Sequence, residues 1–95
     1  MKNRVVITGL GVVSPNALGK ESFLSALQSG ISGIKFHQKL ADLKFSCQIA
    51  GTPLVNQDHI DAYFTPLEQK ELKATGLIYG GIAGQEAWKD AGLKF

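Results

Sequence analysis

The sequence predicts an α/β fold, and three observations carry that prediction. Val5, Val6 and Ile7, continued after a small-residue step by Val12 and Val13, form a nearly continuous apolar run rich in β-branched residues. Such residues suit a strand, and a run without polar alternation fits a strand covered on both faces. Phe23, Leu24 and Leu27 recur at helical spacing. Thr65-Pro66-Leu67-Glu68 is a helix start: Thr65 caps, Pro66 suits the first helical position and Glu68 completes a capping box.

Taken in order, the first strand opens at Arg4 and is expected to be central in its sheet. Ser14, Pro15 and Asn16 stop it, and a turn-rich connection leads to Gly19. A helix follows from Lys20 to about Ser29, with its apolar face packed on the sheet and Gly30 as its stop. From Ile31 to Lys44 the pattern is weak and predicts a loop with a short helical turn near Gln38 to Leu43. Phe45 to Ala50 alternates, which predicts a second strand with Phe45, Cys47 and Ile49 on a buried face, ended by Gly51 and Pro53. Val55 to Phe64 reads as a solvated or single helical turn, anchored by Tyr63 and Phe64. The helix that starts at Thr65 could run to Asp90, with Gly92 just past its end and a break near Ala74 to Gly76 as the alternative. Its interior Gly76, Gly80, Gly81 and Gly84 each cost roughly 1 kcal/mol against Ala. Gly76, Gly80 and Gly84 are spaced by four and form a smooth stripe expected to admit a close neighbour, with Trp88 placed to cover it.

A length of 95 residues allows one small domain, and an apolar fraction of 44% is ordinary for a globular one. The net charge of +2, with scattered lysines, argues against a nucleic-acid partner. One cysteine excludes an internal disulfide framework and fits a reducing compartment. The basic start Met1-Lys2-Asn3-Arg4 precedes an apolar run that glycines, Ser14 and Pro15 interrupt, so no signal peptide is read. No apolar stretch approaches the ~20 residues of a membrane span. The expectation is a soluble, cytoplasmic chain with no membrane partner.

Candidate chemistry is sparse. A reactive thiol needs a cation, a histidine base or a helix N-terminus nearby, and Cys47 shows none in its local sequence. His37 has no second ligand at metal spacing, and Asp58, His59 and Asp61 form a short polar run without the convergence a metal needs. No metal or cofactor is expected. Gly9-Leu10-Gly11 opens a G-x-G-x-x-G fingerprint, but Ser occupies position 14, and Val12 and Val13 continue the strand where a helix should begin. A nucleotide-binding module is therefore the alternative reading of this stretch.

The run VVITGLGVVSPNALG resembles the opening of the β-ketoacyl-acyl carrier protein synthases, the elongating condensing enzymes of fatty-acid and polyketide synthesis. The similarity continues in order through Gly30-Ile31-Ser32-Gly33, Ile49-Ala50-Gly51, Tyr79-Gly80 with Ala83-Gly84, and Asp90-Ala91-Gly92-Leu93. The resemblance implies a thiolase-like αβαβα fold, of which residues 1–95 would form an incomplete N-terminal domain: first strand, helices and one small strand. It implies a decarboxylative Claisen condensation of an acyl thioester with malonyl-carrier protein, run by one Cys and two His in motifs beyond Phe95. Cys47, His37 and His59 do not match those motifs, so no catalytic residue is expected here and the segment alone should be inactive. Acyl carrier protein is the implied partner, and a homodimer or heterodimer the implied assembly of the full-length protein. Lys70 and Lys73 lie at or near positions where the family places a basic docking cluster, although Glu68 and Glu71 interrupt them and Ala74-Thr75-Gly76 replaces the family's Asp-x-Phe step. A solvated helix face is the competing reading of those lysines. A non-catalytic, chain-length-factor-like partner and a small interaction module using the glycine stripe are the other functional alternatives. On its own, such a chain would expose strand edges and is not expected to be a stable monomer.

Overall fold

The computed structural model describes residues 2–94. Met1 and Phe95, which the reading of the basic N-terminus and of the chain's end touches, lie outside them. Two two-stranded antiparallel ribbons and five helices follow one another: β1 (Val13–Ser14), β2 (Ala17–Leu18), α1 (Lys20–Ser29), β3 (Ile34–Phe36), α2 (Gln38–Asp42), β4 (Ile49–Gly51), α3 (Gln57–Tyr63), α4 (Pro66–Glu71) and α5 (Thr75–Asp90).

The chain before β1 packs along α5. Gly9 and Gly11 lie so close to it that a Cβ on Gly9 would strike the Ala87 carbonyl, and one on Gly11 the Ala83 carbonyl. These contacts recur at every second residue, the period of an extended chain. Pro15 and Asn16 form the turn of the β1–β2 hairpin, which pairs Val13 with Leu18 and Ser14 with Ala17. The Gly19 N–H donates to the Val12 carbonyl at 2.9 Å and carries the chain into α1. Gly30 ends α1 in the left-handed region at φ 68°, and the Ile31 N–H reaches back to the Ala26 carbonyl at 2.9 Å. Asn16 Nδ2 donates to the Ile31 carbonyl at 3.1 Å, and Gly33 sits against Pro15 and Asn16. The small residues of Gly30-Ile31-Ser32-Gly33 thus join the end of α1 to the hairpin turn. Strands β3 and β4 pair Ile34 with Gly51 and Phe36 with Ile49. The core is small: Ile82 on α5 is 1% exposed, and Ala17, Ala26 and Phe64 complete the buried apolar set.

Several expectations are corrected. The first apolar run is not a sheet strand in this chain. Its residues have no laddered neighbour before Val13, because no second long strand lies within the described residues to pair with it. The second strand is Ile49–Gly51 rather than Phe45–Ala50, and Phe45, Cys47 and Ile49 are exposed instead of buried. The His37–Leu43 turn region reverses the chain so that only the end of that segment reaches β3, a strand the weak pattern after Ile31 hid. On α1, Ala26 is buried while Leu24 and Leu27 stay exposed beside an apolar groove of about 460 Å³ that Leu10, Val12 and Phe23 also line. The segment before Thr65 forms a two-turn helix, and Phe64 does anchor it. The long helix is broken over Leu72 to Ala74. The glycine stripe has no neighbour: nothing lies within 4 Å of a Cβ built on Gly76, Gly80 or Gly84. Gly81, off the stripe, makes the close contact, with Phe64 Cζ at 2.6 Å from its Cβ position. Trp88 is half-exposed rather than core.

The accessible surface is 7430 Å², whereas a compact monomer of this mass exposes roughly 5,300 Å². The radius of gyration of 16.5 Å likewise exceeds the ~12 Å of a compact chain this long. Much of the excess is apolar: Val5 is 90% and Ile7 83% exposed.

Two substitutions separate a used glycine from an unused one. Gly11→Ala drives a methyl into the Ala83 carbonyl and is expected to cost at least about 2 kcal/mol. Gly80→Ala meets open space on a helix and is expected to stabilise by up to about 1 kcal/mol. Urea midpoints of the two variants against the parent check both signs.

Candidate functional site

The glycine step is clamped by two carboxylates of α5. Glu86 and Asp90 stand four residues apart on that helix, so both reach the same side. Glu86 Oε1 accepts from the Val12 N–H at 2.8 Å, and its Oε2 accepts from the Lys20 N–H at 2.9 Å. Asp90 Oδ2 accepts from the Leu10 N–H at 3.0 Å, and its Oδ1 pairs with Lys20 Nζ. Gly19 has no side chain to cap α1, so Glu86 supplies the carboxylate that satisfies the helix's first N–H. The hydrogen bond from Lys20, helped by that from the Leu10 N–H, holds the Asp90 carboxyl below the ordinary aspartate value. The same bond raises Lys20 above the ordinary lysine value.

This arrangement gives Gly9 and Gly11 a packing role. A dinucleotide turn needs a free helix N-terminus and glycine backbone open to a pyrophosphate. Here Glu86 occupies the N-terminus of α1, and the backbone of α5 covers both glycines. The Gly9-Leu10-Gly11 step is thus a helix-packing surface. Sequence reasoning passed over Glu86 and took Asp90 only as the end of the helix and the start of the closing motif; their i,i+4 spacing on the C-terminal half of the helix is the available signal.

The other candidate residues are scattered. His37 Nε2 lies 3.2 Å from Thr52 Oγ1. His59 belongs to a capping box, its Nδ1 accepting from the Asn56 N–H at 3.1 Å while its own N–H donates to Asn56 Oδ1 at 3.0 Å. Asp61 accepts from Gln57 and Gln69. Cys47 is exposed, and its Sγ lies 3.7 Å from the Ile49 carbonyl. Among the described residues, no group of three or more His, Cys, Asp or Glu is placed to hold a metal ion. No described helix is long and apolar enough to cross a membrane.

Lys70 lies in the last turn of α4 and Lys73 in the break before α5. Both are exposed, and neither forms an ion pair among the described residues. Glu68, one of the two acids flanking them, is turned away: its Oε1 accepts from the Thr65 N–H at 3.0 Å, and Thr65 Oγ1 accepts from the Glu68 N–H at 3.2 Å. The Thr65 hydrogen bonds hold the Glu68 carboxyl below its ordinary value.

The family model for the beta-ketoacyl synthase N-terminal domain matches residues 2–95. The chain belongs to the β-ketoacyl synthase family. It is 33% identical over 93 residues to 3-oxoacyl-[acyl-carrier-protein] synthase 1 of Haemophilus influenzae, covering 95% of this chain and 21% of that protein. Against 3-oxoacyl-[acyl-carrier-protein] synthase 2 of Coxiella burnetii the identity is 35% over 95 residues, covering 98% of this chain and 22% of that protein. The ketoacyl synthase beta subunit of the tetracenomycin polyketide synthase of Streptomyces glaucescens is 29% identical over 92 residues, covering 95% of this chain and 21% of that protein. The chain therefore spans about a fifth of the length of the curated relatives it matches.

Within this β-ketoacyl synthase segment, the motifs that carried the resemblance are structural. The T-G-L-G step packs on α5, Gly30 to Gly33 joins α1 to the hairpin turn, and Asp90 closes the clamp. The clamp sets a pH dependence. Asp90 is depressed, so its contribution to stability is present above the ordinary aspartate range and is lost as pH falls through the folded value. Lys20 is raised, so its contribution is present below the ordinary lysine value and is lost as pH rises through the folded one. Asp90→Asn is expected to lower the melting temperature at neutral pH, and its difference from the parent should vanish in strong acid. Thermal unfolding across the acid range measures this.

Proposed function

We propose that these residues serve as the opening scaffold of a 3-oxoacyl-[acyl-carrier-protein] synthase, within a thiolase-like fold in a soluble, cytoplasmic enzyme. The ordered family match over residues 2–95 carries this reading. In the proposed reaction, a cysteine thiolate displaces the carrier thiol from an acyl thioester and forms an acyl-enzyme. Malonyl-carrier protein then loses carbon dioxide, and the carbanion so formed attacks the acyl-enzyme carbonyl and releases the thiolate. Oxyanion donors would steady both tetrahedral states. None of Cys47, His37 and His59 is assigned to these steps. The role of this chain is to place the first strand against α5 through the glycine step and to fix the start of α1 through Glu86.

In this reading the carrier protein, an acidic partner, meets the corner formed by the end of α4 and the start of α5, where Lys70 and Lys73 project into solvent. Engagement of Glu68 in its own helix cap supports that assignment, because it leaves Glu71 as the nearer opposing charge. A non-catalytic partner of a condensing enzyme is the second reading, supported by the 29% identity to a ketoacyl synthase beta subunit. Both readings accommodate a homodimer or heterodimer of the full-length protein.

A chimera tests the scaffold role. Residues 2–94 replace the matching segment of the Coxiella synthase 2, and condensation of acyl- with malonyl-carrier protein is followed by carbon dioxide release. The chimera is expected to be active, whereas the 95-residue chain alone gives no product. A folded but inactive chimera would overturn the reading. In the active chimera, Lys70→Glu with Lys73→Glu is expected to raise the KM for the carrier protein several-fold, about the effect of two exposed ion pairs, with kcat nearly unchanged. The difference should shrink with added salt.

A further inference from the structure

Helix α4 is held to the molecule by an amide rather than by apolar packing. It buries no side chain, and Leu67, its one large apolar residue, is 72% exposed. Gln69 is the one residue of α4 that is not exposed. Its side chain leaves the helix and joins the end of α3. Oε1 accepts from Gln57 Nε2 at 3.0 Å, and Nε2 donates to Asp61 Oδ1 and to the Phe64 carbonyl, each at 3.1 Å. Gln57 and Asp61 stand four residues apart on α3 and share a face; Gln57 Nε2 also donates to Asp61 Oδ1 at 2.9 Å. The base of this network is firm. Phe64 is buried and lies against Gly81 of α5, and Gln85 of α5 donates to the Tyr63 carbonyl at 3.1 Å. The place occupied by Gln69 asks for one acceptor and two donors on a single planar group, which a primary amide supplies. A carboxylate there would face the carboxylate of Asp61, and an ammonium would have nothing to accept from Gln57.

We infer that Gln69 is a positioning residue for the carrier-docking corner: its amide ties α4 to the end of α3 and so sets the direction in which Lys70 leaves the surface. This rests on the docking role proposed for Lys70 and Lys73. A helix advances about 100° per residue. Holding Gln69 against α3 therefore fixes Lys70 about 100° round the axis and Glu71 about 200°, on the opposite side of the helix. Lys73 follows in the break, between a helix whose angle Gln69 sets and α5, which is packed on Phe64. The Thr65–Glu68 capping box does not replace this tie. Its bonds lie within one segment, so they form the first turn of α4 without setting its angle to α3. A lysine on a helix free to swing loses more freedom when it meets an acidic partner, and the amide removes that cost before docking.

Steady-state kinetics in the chimera test the role. Gln69→Ala is expected to raise the KM for the carrier protein by roughly two- to tenfold, the range that ordering one long side chain represents, with kcat nearly unchanged. Asp61→Asn and Asp61→Ala separate the hydrogen bond from the charge. Both remove the same negative charge, but only Asn keeps an oxygen for Gln69 Nε2, so the Ala variant should show the higher KM. Amide exchange on the 95-residue chain gives a second readout. Gln69→Ala should speed exchange at Gln69 to Leu72 and leave Ile82 as in the parent. A parent-level KM for Gln69→Ala, where Lys70→Glu with Lys73→Glu raises it, would overturn the positioning role and leave docking at this corner standing. A parent-level KM for the lysine variant would overturn the docking reading, and the role of Gln69 with it. Equal KM values for the two Asp61 variants, or faster exchange that includes Ile82, would also overturn the inference.

Discussion

The structure depends on the approach of a backbone without side chains to a helix without large ones. Gly9 and Gly11 meet Ala83, Ala87 and Ala91 on α5. At that separation no other residue fits on the strand side, and the peptide groups come within reach of the helix's own carboxylates. Glu86 and Asp90 then convert a packing contact into a directed one, since each fixes a particular N–H. The hairpin, the start of α1 and the path of the N-terminal chain all follow from that alignment. The clamp joins residues 66 to 80 positions apart in sequence, a long loop closure in entropic terms.

How far this was legible in the sequence varies with the kind of signal. Local chemistry was read directly. The capping box at Thr65 and Glu68, the glycine that ends α1 and the helical turn after His37 are set by neighbours within a few residues. Features that need a distant partner were misjudged. The alternation of Phe45, Cys47 and Ile49 predicts one buried face, but the strand spans only Ile49–Gly51 and all three side chains are exposed among the described residues. The apolar run at Val5 has the composition of a strand without a sheet, because a strand is a relation between two segments and no partner segment lies among the described residues. The clamp was missed for a related reason: Glu86 and Asp90 look like ordinary helix-surface acids until the strand that they hold is placed beside them.

The glycines make the same point at single-residue scale. Gly81 and Gly80 are adjacent on one helix and indistinguishable in composition. Phe64 lies against Gly81, while Gly80 faces open space with Gly76 and Gly84. A helix carrying three unused glycines forgoes stability it could have had from alanine, roughly 1 kcal/mol at each position.

The chain's surface separates into two kinds of incompleteness. Around β3 and β4 and along the stripe, apolar side chains are exposed; α5 satisfies its own backbone, while the ribbon pairs one edge of each of its two strands. Such faces accept many coverings and specify none. Before β1, the backbone groups of Val5, Ile7, Gly9 and Gly11 make no backbone hydrogen bond among the described residues, while the Leu10 N–H is held by Asp90. A bare peptide edge is more demanding than an apolar face, because hydrogen-bond spacing admits only an extended chain in a defined register. The clamp holds Leu10 and Val12 of this stretch from one side. The carboxylates of α5 therefore reach beyond their own helix: Glu86 ties the N-terminal chain to the start of α1, and Asp90 ties the same two segments through Leu10 and Lys20.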